Sequence, residues 1–196
     1  MVKDCVRRER LKLVIILTAL LFAVLPVTAL AGDTICADTF IDGTHDNVIV
    51  PAGTVCNSSA HITGSVKVFG GFNAFSGTTI EGNIEGEPGH RFVRLFGLSV
   101  VVRGNVQLKN AAPAESSGYM AGTEIGGNFQ WEANPNVLAA QGGTIGGDLI
   151  IVQSTGATEI FGNVVQGNLQ CSENNPPPTG GGNTVTGNKQ DQCAGF

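Results

Sequence analysis

A unit of the form apolar-x-Gly-Asn-apolar-x-apolar recurs seven times along this chain, and a repeat of steady period constrains a fold before any other feature does. Its anchoring glycines are Gly64, Gly82, Gly104, Gly127, Gly147, Gly167 and Gly187, spaced by 18, 22, 23, 20, 20 and 20 residues. Two residues before each Gly, two after it and four after it, the side chains share one parity, and 18 of these 21 positions are apolar. The residue three after the Gly has the opposite parity and reads Lys67, Glu85, Gln107, Gln130, Ile150, Gln170 and Gln190. Alternation with period two describes a strand with one buried face, whereas a helix needs apolar residues three and four apart. The units offer no such helical spacing.

No single unit can cover its own apolar side, so the units must stack and bury one another. Each Val, Ile or Leu taken fully out of water contributes about 1.5–3 kcal/mol before entropy is subtracted. The expected fold is therefore all-β: a single-domain parallel β-helix, or β-solenoid, of about seven roughly 20-residue coils. The Gly-Asn pair marks a corner in each coil. Gly adopts positive φ freely and Asn tolerates it, so positive φ is the expected reason for the pair. Stacked coils would align Asn83, Asn105, Asn128, Asn168 and Asn188, with Ser65 and Asp148 as substitutes, into a hydrogen-bonded ladder. The seventh unit puts Lys189 and Asp191 at inward positions, which suits an end cap.

Residues 1–31 do not share the pattern. Lys3, Arg7, Arg8, Arg10 and Lys12 precede a nearly uninterrupted apolar run from Leu13 to Leu30, and Ala29-Leu30-Ala31 offers a small-x-small site. This reads as a secretory signal cleaved before Gly32, with an uncleaved anchor as the alternative. Cleavage leaves six basic and fourteen acidic residues, a net charge of −8. That charge disfavours nucleic acid as a partner, and anionic membrane once the signal is gone. The mature chain then divides into residues 32–60, a cap with the first strand, and residues 61–196, the coils with a C-terminal cap.

Four cysteines remain, and an even count in an exported chain points to disulfides. Cys36 and Cys56 are 20 apart, Cys171 and Cys193 are 22 apart, and each pair lies near one end of the repeat. Residues one coil apart stand about one strand spacing from each other, which a disulfide spans. The expected bridges are Cys36–Cys56 and Cys171–Cys193. Cys193 falls two residues past the position aligned with Cys171, so the last segment must bend back. Asn110 to Gly122 and Asn174 to Gly182, rich in Pro, Ser and Gly, read as loops outside the wall.

The run Gly167-Asn168-Leu169-Gln170-Cys171 through Asn183-Thr184-Val185-Thr186-Gly187-Asn188-Lys189 to Gln192-Cys193 resembles a signature of uncharacterised secreted bacterial proteins. So does Asn47-Val48-Ile49-Val50-Pro51-Ala52-Gly53 before Cys56. The resemblance covers most of the mature chain and implies an exported solenoid without assigning an activity. More loosely, the Gly-Asn comb is similar to that of bactofilins, which polymerise end to end. The signal and the terminal cysteines depart from that pattern.

Chemistry is sparse. His45, His61 and His90 form no metal-spaced pair, and Asp42-Gly43-Thr44-His45-Asp46-Asn47 lacks the closing Glu of a calcium loop. No metal or cofactor is expected. Parallel β-helices can host polysaccharide lyases and hydrolases. Glu81 and Glu85 near Arg91, Arg94 or Arg103 would be the residues of such an enzyme, but a non-catalytic chain is expected. Ice-binding faces use arrays of Thr, which the comb lacks. Trp131 falls on an inward position. The outward column Gln107, Gln130, Gln170 and Gln190, with Lys67 and Glu85, makes a flat polar stripe suited to a glycan or cell-wall polymer. The expectation is a secreted structural or interaction module, with carbohydrate binding as its rival and a carbohydrate-active enzyme behind both.

Overall fold

The computed structural model describes residues 32–113 and 118–196. The expected secretory leader, residues 1–31, lies outside the described residues, as do residues 114–117 of the first expected loop. The described chain is all-β and winds into three parallel sheets. Sheet 1 has nine strands: Asp33–Ile35, Asn47–Val50, Val66–Val68, Ile84–Gly86, Val106–Lys109, Phe129–Glu132, Leu149–Val152, Leu169–Ser172 and Lys189–Asp191. Sheet 2 has eight: Thr39–Ile41, Val55–Ser58, Gly71–Ala74, Phe92–Phe96, Gly118–Ala121, Leu138–Gln141, Thr158–Phe161 and Thr179–Gly181. Sheet 3 has eight strands of two residues each, from Thr44–His45 to Thr184–Val185.

One strand of each sheet makes a rung. Eight rungs are complete, and Lys189–Asp191 begins a ninth. At the spacing of neighbouring strands the stack is about 38 Å long. The seven Gly-centred units all occupy the corner from sheet 3 into sheet 1, one above the other. Two additional rungs precede them, with Gly32-Asp33 and Asp46-Asn47 at the same corner. Residues 32–60, expected to hold a cap and one strand, contribute five strands to the stack. The expected loops are also narrower than their composition suggested, because Gly118–Ala121 and Thr179–Gly181 are strands of sheet 2.

The interior is a column of alternating side chains. Val66 stands under Ile84 and Ile62 under Ile80, each one rung on, and all four are fully buried. Two glycines make room for rings inside this column. A Cβ at Gly118 would strike the Trp131 ring, and one at Gly86 would strike His90 and Leu108. Trp131 is 1% exposed, as its inward parity predicts. His90 is buried as well, with Nδ1 3.0 Å from the Glu87 carbonyl oxygen.

Both ends of the column turn polar and are locked. In the first rung Thr34 and His45 hold inner positions, aligned with Val48 and Ile62, and Thr34 Oγ1 and His45 Nδ1 hydrogen-bond at 3.1 Å. The Cys36–Cys56 disulfide joins rungs one and two with a Cα separation of 5.4 Å. At the other end Asp191 aligns with Cys171 and takes φ of 55°, which turns the chain back. Cys193 then bridges to Cys171 with a Cα separation of 5.3 Å, and Phe196 packs against the core.

The corner glycines owe their place to crowding rather than to positive φ. None of the seven has positive φ; that conformation belongs to Gly122, Gly142, Gly162 and Gly182 at the corner between sheets 2 and 3. Asn110, Ala133, Gln153 and Glu173 adopt it at the corner between sheets 1 and 2. At the Gly-Asn corner a Cβ would instead meet the rung before it. At Gly104 it would collide with the Asn83 carboxamide and the Gly82 carbonyl, and at Gly167 with Asp148 and Gly147. The backbones approach closely there because each side-chain oxygen reaches over the next rung.

Candidate functional site

Three columns of side chains cover the outer surface of sheet 1. The first is the corner ladder, in which each side-chain oxygen accepts the backbone N–H of its counterpart one rung on. Asn105 N–H donates to Asn83 Oδ1 at 2.8 Å, Asn128 to Asn105 at 2.8 Å, Asp148 to Asn128 at 2.7 Å and Asn168 to Asp148 at 2.6 Å. Ser65 fits the chain by accepting from Asn83 N–H at 3.0 Å. The expected ladder therefore exists, but it is mainly side chain to backbone. Amide-to-amide bonds appear only at steps such as Asn105 Nδ2 to Asn83 Oδ1, 3.4 Å.

The second column is the predicted stripe. Strand register aligns Lys67 with Glu85, Glu85 with Gln107, Gln107 with Gln130, Ile150 with Gln170, and Gln170 with Gln190. Ile150 separates Gln130 from Gln170, so the four glutamines stand as two pairs and not as one run. Gln107 is exposed and the other three are half-buried. Gln130 Nε2 donates to Glu132 Oε2 at 2.8 Å. The third column carries charge: Lys109 Nζ lies 2.8 Å from Glu132 Oε2, and Glu87 Oε1 lies 3.4 Å from the Nζ of Lys67 in the second column. Two shallow grooves cut this surface, one beside Asn47, Ile49, Lys67 and Glu85, the other beside Glu85, Gln107 and Lys109.

The residues of the enzyme reading are divided between walls. Arg103 Nε meets Glu81 Oε2 at 3.1 Å near the sheet 3 corner, with His61 Nδ1 4.0 Å from Glu81 Oε1. Glu85 belongs to sheet 1, and Arg94 lies on sheet 2, 4.6 Å over the Phe92 ring. Arg91 approaches the same ring at 5.8 Å. The structure thus brings Glu81 and Arg103 together and leaves Glu85, Arg91 and Arg94 apart. Among the described residues no group of three or more His, Cys, Asp and Glu side chains is placed to hold a metal ion.

Sequence parity at the Gly comb did not expose two other features. The outer column of sheet 3 carries Thr44, Thr79, Thr144 and Thr184, but no two of them are neighbours, so they form no continuous Thr array. His61, Val101, Glu124 and Val164 interrupt that column. On sheet 2, Phe75 stacks on Phe96 at 5.8 Å and Phe96 on Tyr119 at 5.1 Å, with Phe75 39% exposed. Their intervals of 21 and 23 residues were the available signal.

Two buried disulfides are compatible with an extracellular protein, and among the described residues no helix is long and apolar enough to cross a membrane. No family model matches this chain, and neither a curated protein nor a solved structure does.

Proposed function

We propose that this chain is a secreted, non-catalytic structural or interaction module that works by holding a rigid outer surface toward an extended partner. The observation that carries this reading is the register of sheet 1. Amide side chains repeat there two columns wide in two blocks, Asn105, Gln107, Asn128 and Gln130 before the rung of Asp148 and Ile150, and Asn168, Gln170, Asn188 and Gln190 after it, on a backbone locked rung to rung. Repeating amides both donate and accept, which suits the hydroxyl and acyl groups of a cell-wall or extracellular glycan. The neighbouring charges are largely paired with one another, so the surface does not select for ligand charge.

Retention of the purified protein on cell-wall and polysaccharide fractions tests the glycan partner. Binding should fall on replacing Gln107 and Gln130 together by Ala. Elution with the buffer control would leave the structural role and remove the glycan. Turnover of a uronate polymer that disappears in Arg103→Ala would overturn the non-catalytic reading.

A further inference from the structure

The outer surface of sheet 2 differs from that of sheet 1. One column reads Asn73, Arg94, Tyr119, Ala139, Glu159 from rung three to rung seven, each aligned with the next. Beside it runs a column that includes Phe96, Ala121, Gln141 and Phe161. Phe161 is 43% exposed, and Glu159 is exposed with no ion pair among the described residues. Large and small side chains, and opposite charges, are placed symmetrically about the gap between rungs five and six.

We propose that sheet 2 is the interface of a two-fold dimer of this chain. A two-fold axis along the strand direction, between Tyr119 and Ala139, reverses the order of rungs and keeps each column facing itself. Rung four then faces rung seven of the second copy, and rung five faces rung six. Arg94 meets the opposite copy's Glu159, Phe96 meets Phe161, and Tyr119 covers Ala139. Every pair occurs twice, because a two-fold interface uses one patch on both subunits. The charges attract, the aromatic rings leave water together, and the large Tyr side chain fits over the small Ala. The same juxtaposition with parallel solenoid axes would set Arg94 against Arg94 and Glu159 against Glu159, so charge selects the antiparallel arrangement. Face-to-face sheets pack about 10 Å apart, a distance that side chains of this size fill.

Sedimentation equilibrium of the purified, disulfide-intact protein reads the association directly. The unaltered protein should be a dimer. Arg94→Glu alone and Glu159→Arg alone should each raise the dissociation constant about tenfold or more, since each places like charges opposite one another twice. The double reversal Arg94→Glu with Glu159→Arg should restore the dimer. Phe161→Lys, at an exposed position, should also give monomer, and a thermal melt of each variant confirms that the solenoid itself is intact. A monomer at every concentration overturns the proposal. So does a dimer indifferent to both single reversals, or a double reversal that stays monomeric.

Discussion

The carboxamide oxygen of Asn105 accepts the backbone N–H of Asn128 at 2.8 Å, and it occupies the place that a Cβ on Gly127 would need. One residue's hydrogen bond is therefore the cause of its neighbour's lack of a side chain. Gly and Asn recur as a pair because each rung's Asn leans over the next rung's Gly.

Replacing Asn105 by Ala leaves the Asn128 N–H without its acceptor and should cost about 1–2 kcal/mol. Replacing Gly127 by Ala forces a methyl group against Asn105 and should cost about 1–3 kcal/mol. The double variant should lose less than the sum, because removing the carboxamide vacates the space that the new methyl group enters. Urea denaturation of all four proteins gives the coupling, and strict additivity would disprove this link.

His90 lies in the column beside Gly86, and burial holds its pKa below the ordinary value of 6.5, the hydrogen bond to the Glu87 carbonyl opposing only part of that shift. The Glu87 carbonyl can only accept, so Nδ1 carries the proton, and Nε2 is buried without a partner. Protonating Nε2 would put an unmatched donor and a charge into the core. The unfolded chain takes up that proton first, so stability holds above about pH 6.5 and declines as pH falls through that value toward the folded pKa. The decline is at most about 1.4 kcal/mol per pH unit for one proton. In His90→Leu this component of the pH dependence should vanish, as read from denaturation midpoints between pH 7 and 5.

Each disulfide closes a loop of about one coil, and removing one should cost about 3 kcal/mol. In a stack where each rung touches only its neighbours, the damage should stay local. Serine at both Cys171 and Cys193 should raise amide hydrogen exchange in Leu169–Ser172 and Lys189–Asp191 while leaving Asn47–Val50 protected. Serine at Cys36 and Cys56 should do the reverse. Uniform loss of protection in either variant would show that the stack melts as one unit.

Much of the fold was legible because inward residues on a strand must be apolar and outward ones need not be. That rule placed Ile62, Val66 and Val68 inside, Gln107 outside, and Cys36 one coil from Cys56. It failed where a residue's reason lies in another rung. Asn163 and Asn183 look like polar corner residues, yet both are buried. Asn163 Oδ1 accepts from Gly143 N–H at 2.9 Å, and Asn183 Oδ1 from Asn163 N–H at 2.9 Å. Asn134 and Asn174 are likewise buried at the corner between sheets 1 and 2, where they accept from Ala111 and Ser154. Only a three-dimensional stack shows that these carboxamides satisfy backbone groups that would otherwise be stranded. Parity alone places Gln107, Gln130, Gln170 and Gln190 on the outer side of sheet 1, but the interruption at Ile150 and the aromatic stack on sheet 2 depend on which rungs come to lie side by side.

The corner ladder also has a direction, and that bears on how such a chain can change in size. Asp148 stands between Asn128 and Asn168, taking a donor role toward one and an acceptor role toward the other, each 20 residues away. Excising residues 147–166 would splice Gly146 onto Gly167 and hand Asn168 to Asn128 in the same roles. Copying the segment would do the opposite, adding one more link of identical polarity. The molecule is thus a ruler graduated in steps of about 4.8 Å, and ancestry can lengthen or shorten it by whole graduations without redrawing either end.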